Sequence, residues 1–339
     1  MEEEVKKLKQ LIESSERILI TSHISPDPDA ICSVLLMGTT LSTNYPSKKI
    51  VMNLEELNPS LGFLKGYKSI EVEPLVTAVS QTKPQLIIMV DAMNYGRCTR
   101  GDAAKVAEKA KEMGSKLAVI DHHEPVDVAD NVVYINQNSP AAAQDAYEIL
   151  FQHLKYKKPE GSGETAMTGI LSDSARFLYD NPRHRSTFRV VSDLIDEGVS
   201  IEQLENRARR YSADQITVLG ELAKNLRISD GYTYSFISDD FTRQWIEDGK
   251  SADEFKHGCE LFVSGFIRNI GDNKWGFIVY PDLTAGKGRY SASFRALGNI
   301  KDVAEIARKV GGGGHKPSAG AKYSADSVED AVEKVKAVI

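Results

Sequence analysis

Three of the short apolar segments in the first half of the chain are followed by residues that can bind a proton or a cation. His23, Asp27 and Asp29 follow the first segment, and Asp91 follows the second. The third is followed by the motif Asp121-His122-His123. Carboxylates gathered in one place raise one another's pKa unless cations compensate their charge. The ordered set therefore indicates a cation site.

Asp173 follows a further apolar segment, which has a helical pattern, and extends this set. Oxygen ligands with a few imidazoles and no thiolate suit Mn²⁺ or Mg²⁺ better than structural zinc. The set is large enough for two ions that share a carboxylate, which is the arrangement used in phosphoester hydrolysis. The alternative, in which these residues cap turns or face solvent, explains a single residue better than the whole set.

The segments that position these side chains have the length and composition of buried β-strands. We predict strands over 17–22, 49–52, 85–90 and 116–120. Between them we predict helices over 30–41 and 100–114, the second with Gly114 at its C-cap. Alternating strands and helices predict an α/β fold with a doubly wound parallel sheet. The ligand crevice of such a sheet lies beyond the carboxyl ends of its strands, where the candidate residues are expected to meet.

The chain has 339 residues, which is longer than a typical single domain, and its pattern changes twice. We assign residues 1–185 to the parallel-sheet domain, 186–228 to a helical connector and 229–339 to a smaller α+β domain. In the last of these we predict strands over 232–238, 260–269, 274–280 and 289–296.

A glycine run near the C-terminus has the composition of an anion-binding loop. Gly311 to Gly314 are followed by His315 and Lys316. Glycines let the backbone approach a ligand closely and turn its amides inward. Arg289 and Arg295 lie on one face of a nearby predicted strand. The alternatives are a flexible turn for the glycine run and a solvated strand face for the arginines.

Composition and charge exclude several classes of protein. The net charge of −6 argues against a protein that coats long nucleic acids without specificity. The charged N-terminus lacks the apolar core of a signal peptide, and no apolar run approaches the roughly 20 residues of a membrane span. The three cysteines are scattered, which fits a reducing compartment. We therefore expect a cytoplasmic protein without a membrane segment.

The motifs HISPDPDA, DHH and GGGGH, with Asp91 and Asp173 in the matching order, resemble the DHH phosphoesterase superfamily. The final motif is similar to that of the subfamily with a C-terminal DHHA1 domain. The resemblance covers nearly the whole chain. The length of the chain resembles that of the compact oligoribonucleases that also remove the 3′-phosphate from pAp. It also resembles that of related phosphodiesterases that cleave pApA.

The resemblance implies a centre of two manganese ions, with Mg²⁺ or Co²⁺ as alternatives. Its ligands form two sets that share one carboxylate. The sets are His23, Asp27 and Asp91 for one ion and Asp29, Asp91, His122 and Asp173 for the other. His123, together with Asp91 and Asp173, is implied as a catalytic residue, and its family position lies close to the nucleophile and the scissile phosphate.

The second domain is implied to bind the substrate's phosphate. Its matching residues are Arg295, Gly312, Gly313, Gly314 and His315. The implied reaction is in-line attack by a metal-bound hydroxide on a terminal phosphodiester. The implied substrates are short RNA oligonucleotides or dinucleotides, cleaved in the 3′-to-5′ direction, with removal of the 3′-phosphate of pAp as an open alternative. The oligomeric state is also left open, with a homodimer as one alternative.

Two departures from the family pattern concern the expected site. Pro28 and Cys32 stand where relatives usually have glycines, and Pro28 restricts the backbone of the ligand loop. The segment 138–144, Asn-Ser-Pro-Ala-Ala-Ala-Gln, stands where many relatives place serines near the phosphate. The second departure leaves the substrate preference open.

Two other functions remain as alternatives. A RecJ-like exonuclease for long single strands needs a basic track with interleaved aromatic residues, and the sequence shows no such run. RecJ-type enzymes are also usually longer and carry an additional OB-fold. A nucleotide-sensing or RNA-binding module with degenerate catalysis would be free to lose Asp91 or the DHH motif, and this chain keeps both.

Overall fold

Two six-stranded β-sheets organise the chain, one in each of two units that cover residues 1–209 and 210–339. This computed structural model describes residues 1–123, 132–178, 180–208, 210–298 and 300–339, and only the backbone of residue 315. No helix in these ranges is long and apolar enough to cross a bilayer.

The sheet of the first unit is parallel throughout. Its strands are β1 (Arg17–Thr21), β2 (Lys49–Leu54), β3 (Ile70–Val72), β4 (Leu86–Val90), β5 (Lys116–Ile120) and β6 (Val133–Ile135). They lie in the order β3-β2-β1-β4-β5-β6, so the chain leaves the centre of the sheet in both directions. The predicted doubly wound sheet is confirmed, and β1 and β4 lie side by side at its centre.

Helices cover both faces of this sheet. They are α1 (Glu2–Ser14), α2 (Pro28–Asn44), α3 (Leu75–Thr82), α4 (Tyr95–Cys98), α5 (Ala103–Glu112), α6 (Ala142–Tyr147), α7 (Ser162–Asp173), α8 (His184–Asp196) and α9 (Ile201–Ala208). Successive strand residues alternate between the faces, so Ile18 and Ile20 pack in the cluster that contains α2 and α7, whereas Leu19 packs in the cluster that contains α3 and α5. This two-sided burial explains why the central strands contain runs of consecutive apolar residues, such as 18–20 in β1 and 86–90 in β4.

The second unit contains a mixed sheet. Its strands are β7 (Arg227–Ser229), β8 (Tyr232–Phe236), β9 (Trp275–Pro281), β10 (Arg289–Ala296), β11 (Gly313–His315) and β12 (Ser318–Ser324). Their order is β11-β12-β10-β9-β8-β7, and only the β8–β9 pair is parallel among the described pairs. The helices are α10 (Ala213–Lys224), α11 (Asp239–Glu247), α12 (Ala252–Gly265), α13 (Val303–Lys309) and α14 (Val328–Lys336). The smaller α+β domain is thus confirmed.

Residues of the expected connector belong to both units. α8 and α9 pack within the first unit, through Val190 and Leu204. α10 packs within the second, where Val218 contacts the cluster that includes α12.

The strand predicted over 260–269 is wrong, because residues 260–265 form the second half of α12. Phe255, Cys259, Phe262 and Val263 are buried on one side of this helix. Their spacing is helical, but the second half alone, Glu-Leu-Phe-Val-Ser-Gly, has the apolar composition of a short strand. The helix begins after Ser251, whose hydroxyl accepts hydrogen bonds from two backbone amides.

An ion pair at the end of β9 should stabilise the second unit in a pH-dependent way. Asp282 accepts hydrogen bonds from the amide and hydroxyl of Thr284 and lies 2.8 Å from Lys322 Nζ on β12. Burial acts to raise the pKa of Asp282, but Lys322 and Thr284 outweigh it and lower the pKa to about 2. Because the folded-state pKa is lowered, this stabilisation is complete above the unfolded value and is lost as the pH falls from about 4 to about 2.

We therefore expect Asp282→Asn to reduce the free energy of unfolding by about 1 kcal/mol at pH 7. The difference from wild type should shrink as the pH is lowered below about 4, because the wild-type carboxylate is then protonated. Urea unfolding at several pH values measures both effects. A difference that stays constant down to pH 3 would contradict this assignment.

Candidate metal centre

Asp91 lies directly after β4, at the centre of the parallel sheet. Its backbone adopts a left-handed conformation with φ of 53°, and its amide donates to the carbonyl of Ile120 at the end of β5. Its two carboxylate oxygens face different imidazoles. Oδ2 lies 3.3 Å from His23 Nε2, and Oδ1 lies 3.3 Å from His122 Nε2. The carboxylate thus lies between two sets of side chains.

The first set comes from the loop between β1 and α2. His23 follows β1, and its Nδ1 contacts the carbonyl of Ile24, which leaves Nε2 facing Asp91 and Asp27. Asp27 is the N-cap of α2 and accepts a hydrogen bond from the amide of Ala30. Pro28 occupies the first turn of this helix, where its restricted φ is favourable. The proline found in place of a family glycine is therefore compatible with the helix start.

Asp29 is fully buried in the first turn of α2. Its oxygens accept hydrogen bonds from the amides of Ala142 and Ala143, at 2.7 and 2.9 Å, in the first turn of α6. α7 also approaches at Gly169, where an added Cβ would lie 2.9 Å from Asp29 Oδ1 and 2.5 Å from the Cβ of Ala143. The absence of a side chain at position 169 therefore lets α7 pack closely against Asp29, a role that we did not assign from the sequence.

The second set gathers round His122, which follows β5. Its Nε2 lies 3.3 Å from Asp173 Oδ2, at the end of α7, and 3.9 Å from Asp29 Oδ2. Its Nδ1 lies 3.0 Å from the carbonyl oxygen of Ser139. That contact favours a proton on Nδ1 and leaves Nε2 as the ligand atom.

His123 is more exposed than His122 and has a different partner. Its Nδ1 lies 2.8 Å from Oδ1 of Asp121, which is buried and also accepts the backbone amide of His122. The sequence pattern alone indicates no separate role for Asp121. Its contact with His123 shows that the first residue of the DHH motif orients the third.

The carboxylates strongly perturb one another. Burial and the nearby charge of Asp91 raise the pKa values of Asp27 and Asp29, and burial raises that of Asp173 to about 6. Burial acts in the same direction on Asp91, but the imidazoles of His122 and His23 that face its oxygens outweigh burial and lower its pKa to about 2. Burial opposes protonation of His122, yet the surrounding carboxylates raise its pKa to about 10. The protein thus concentrates negative charge here beyond what the imidazoles compensate.

The arrangement fits two divalent cations. His23, Asp27 and Asp91 place one ligand atom each within 4.8 Å of one another, and so do Asp29, His122 and Asp173. Asp91 Oδ1 and His122 Nε2 are buried without a hydrogen-bond partner among the described residues. Buried polar atoms rarely remain unpaired, so a cation is the expected partner. The structure therefore brings together all six residues expected as ligands, with oxygen and imidazole donors that suit Mn²⁺ or Mg²⁺.

The residues expected to bind phosphate lie together in the second unit. Ser318 on β12 pairs with Arg295 on β10 and with residue 315 on β11, so the three positions form one row across the sheet. The side chain of His315 lies outside the described part of the chain. A Cβ at Gly312 would lie 2.1 Å from the carbonyl oxygen of Gly320. Close packing against β12 therefore explains this glycine without a ligand.

An aromatic cluster follows Asp173, and sequence reasoning did not identify it. Residues 175–177 adopt left-handed conformations, with φ between 48° and 65°. The ring of Phe177 then contacts Phe188 with centroids 5.1 Å apart, and His184 contacts Phe188 at 5.8 Å. The side chain of Phe188 is 51% exposed. Non-glycine residues in this conformation are strained and concentrate at functional sites.

Comparisons with protein families divide the chain in agreement with these units. The model of the DHH family N-terminal domain matches residues 17–179, and the DHHA1 domain model matches residues 246–339. The predicted family resemblance is confirmed. The residues expected to bind cations lie within the first matched domain, and the row expected to bind phosphate lies within the second.

Relatives with similarity over most of the chain carry enzyme names. The bifunctional oligoribonuclease and PAP phosphatase NrnA of Bacillus subtilis (strain 168) is 26% identical over 319 residues, which cover 93% of this chain and 92% of that protein. NrnA of Streptococcus mutans, named as probable, is 23% identical and covers 96% of both chains. The cyclic-di-AMP phosphodiesterase GdpP of Geobacillus thermodenitrificans is 22% identical over 98% of this chain but only 48% of its own length.

Two solved structures share the fold. An exopolyphosphatase-related protein from Bacteroides fragilis gives a TM-score of 0.82 at 18% identity, covering 100% of this chain and 96% of the other. Exonuclease RecJ bound to manganese gives 0.54 at 14% identity, covering 99% and 92%. At these identities the similarity concerns the fold alone.

The contact at Gly169 predicts a specific effect of a small substitution. Gly169→Ala places a methyl group against Asp29 and Ala143, so we expect α7 to shift, cation binding to weaken and the free energy of unfolding to fall by about 1–3 kcal/mol. Gly220→Ala is the matched control, because no described residue outside its own stretch of α10 comes within 4 Å of that Cβ and alanine favours a helix interior by up to about 1 kcal/mol. Mn²⁺ titration and urea unfolding measure the two effects, and unchanged Mn²⁺ affinity in Gly169→Ala would contradict the packing argument.

Proposed function

The chain belongs to the DHH family and carries a C-terminal DHHA1 domain, and from this premise we propose that it is a manganese-dependent phosphodiesterase. The proposed substrates are short oligoribonucleotides and dinucleotides such as pApA, with the 3′-phosphate of pAp as a further substrate. The single observation that carries the proposal is the convergence of two ligand sets on the shared carboxylate of Asp91. Relatives named as oligoribonucleases, PAP phosphatases and a cyclic-dinucleotide phosphodiesterase support the substrate class.

Two cations bound at the sheet edge would supply Lewis-acid polarisation of the phosphate and activation of water. His23 and Asp27 would hold one ion, and Asp29, His122 and Asp173 would hold the other, with Asp91 common to both ligand sets. The protein's own contribution is to fix these donors before the ions bind. Asp29 is held by the amides of Ala142 and Ala143, and the oxygens of Asp91 face His23 and His122 separately.

His123 is proposed to exchange a proton with the substrate or with water. Asp121 engages its Nδ1, which leaves Nε2 as the ring atom for transfer. A carboxylate that orients a histidine in this way also stabilises the imidazolium that forms when the ring takes a proton. The partial exposure of His123, in contrast to the buried His122, supports this separate role.

Each unit, taken by itself, offers groups that suit a part of the proposed substrates. The row at positions 295, 315 and 318 is proposed to hold a terminal phosphate of the substrate, and Gly312, Gly313 and Gly314 belong to the same segment. The aromatic cluster after Asp173 offers a nucleobase a stacking surface in the first unit. A cytoplasmic location is retained as a prediction, in keeping with the class of substrate.

The proposal is tested by hydrolysis of four substrates side by side with Mn²⁺: pApA, a five-nucleotide RNA, a long single strand and pAp. We expect the short substrates to be cleaved fastest. Rates that stay level or rise with length at constant salt would favour the RecJ-like alternative, and binding without hydrolysis would favour the sensing module.

Asp91→Ala should lower kcat by several orders of magnitude, because both ligand sets lose their shared carboxylate. The control is Asp196→Ala, since Asp196 is an exposed acid at the end of α8. Circular dichroism checks that the fold is kept, and metal analysis counts the bound ions. Two bound manganese ions with near wild-type activity in Asp91→Ala would refute the proposed role of Asp91.

Phe188→Ala should raise the KM for pApA about fivefold or more with little change in kcat, because stacking on an aromatic ring contributes about 1–3 kcal/mol per base. Phe188→Trp keeps an aromatic face and should retain the wild-type KM. Ile195→Ala is the control, because Ile195 is similarly exposed on the same helix but aliphatic. If Phe188→Ala and Phe188→Trp have the same KM, the ring does not stack on a base.

A further inference from the structure

The guanidinium group of Arg183, just before α8, clamps a segment that follows β6. Its Nη1 donates to the side-chain oxygen of Gln137 at 2.8 Å and to the hydroxyl of Ser139 at 2.9 Å. Its Nη2 donates to Glu148 Oε2 at 3.0 Å. Arg183 thus joins the loop that contains Ser139 to the helical segment that continues α6.

This clamp is embedded in buried polar groups. Asp145 is fully buried, accepts a hydrogen bond from the hydroxyl of Ser139 and has one oxygen without a partner among the described residues. Glu148 is also buried, and its second oxygen accepts a hydrogen bond from Gln144 at 2.8 Å. Two buried acids therefore surround one guanidinium, whose Nη1 lies 3.7 Å from Asp145.

The clamp is connected to the candidate metal centre through one residue. The backbone carbonyl of Ser139 contacts Nδ1 of His122, and the hydroxyl of the same residue is held by Arg183 and Asp145. Asn138, directly before Ser139, has a left-handed backbone with φ of 55°, so this loop is not held by regular secondary structure. The orientation of the Ser139 carbonyl therefore depends on side-chain contacts.

We propose that Arg183 is a positioning residue for the metal centre, which fixes Ser139 so that the carbonyl of Ser139 directs Nε2 of His122 toward the cation. This inference rests on the cation-binding part of the proposed function. Groups that orient a histidine ligand from behind contribute about 10–100-fold to metal affinity or activity. Arg183 itself contacts neither the cation nor the substrate in this account.

The main competing explanation is that Arg183 only neutralises Asp145 and Glu148. Lysine would serve that purpose, because it supplies the same charge. It would not replace the clamp, because a single ammonium lacks the planar fork that contacts Gln137, Ser139 and Glu148 together. Arg183→Lys therefore separates positioning from charge compensation.

The experiment uses the full chain stripped of metal and measures the Kd for Mn²⁺ from the electron paramagnetic resonance signal of the free ion. We expect Arg183→Lys to weaken the affinity about 10-fold or more. The visible spectrum of the Co²⁺-loaded variant should also change, because the geometry round His122 changes. Arg185→Lys is the matched control, since Arg185 is exposed two residues further along and should keep the wild-type Kd and spectrum.

Ser139→Ala provides a second variant in case Arg183→Lys does not fold, which urea unfolding and circular dichroism would show. It removes the hydroxyl that Arg183 and Asp145 hold but keeps the carbonyl, so we expect a smaller loss of affinity, about threefold to 10-fold. In the double variant that combines Arg183→Lys with Ser139→Ala, the two losses of Mn²⁺ affinity should not add, because both substitutions act on the carbonyl of Ser139.

A Kd within twofold of wild type in folded Arg183→Lys would overturn the inference, and so would additive losses in the double variant. If Arg183→Lys is unfolded, a wild-type Kd and Co²⁺ spectrum in Ser139→Ala would overturn it. Failure of this inference about Arg183 is distinguishable from failure of the proposed function. A wild-type protein that binds Mn²⁺ but hydrolyses none of the four substrates refutes the phosphodiesterase proposal alone, whereas one that binds no Mn²⁺ refutes both.

Discussion

Mutual repulsion among buried carboxylates is the constraint on which the first unit depends. The parallel sheet brings Asp91 and Asp121 to one edge, and α2 and α7 add Asp29 and Asp173 from its face. Left uncompensated, this charge would oppose folding. Burial, with a smaller contribution from the neighbouring carboxylates, raises the pKa values of Asp29 and Asp173. Imidazoles and backbone amides offset part of the repulsion. The remainder is what makes the site suited to divalent cations.

The surrounding structure holds these carboxylates in place although they repel one another. Asp29 is bound by the first amides of α6, and α7 packs closely against it at Gly169. His122 is held by Ser139, which is itself held by Arg183 and Asp145. Donors that are fixed in advance lose little conformational entropy when a cation binds. The helices that cover the sheet therefore contribute directly to the proposed chemistry.

The segment 138–144 is where this chain departs from the family pattern, and it has a structural role at the centre. Its alanines present the amides that bind Asp29, and Ser139 presents the carbonyl that contacts His122. Both contacts use backbone atoms, which do not require the serines expected from relatives. The departure in sequence is thus compatible with an intact set of donors, because these contacts depend on the backbone geometry of the segment and not on its side chains.

The sequence by itself determined the parallel sheet and the candidate ligands. Strand burial on two faces produces continuous apolar segments, and the candidate ligands other than Asp173 come soon after those segments. It failed at residues 260–265, where half of an amphipathic helix has the composition of a strand. Only the tertiary structure decided that Gly169 lies against Asp29 and that Arg183 reaches Ser139, which is 44 residues away in the chain. Such contacts arise from the packing of α7 and α8 and the loop before α8 and leave no periodic signal, so local pattern cannot reveal them.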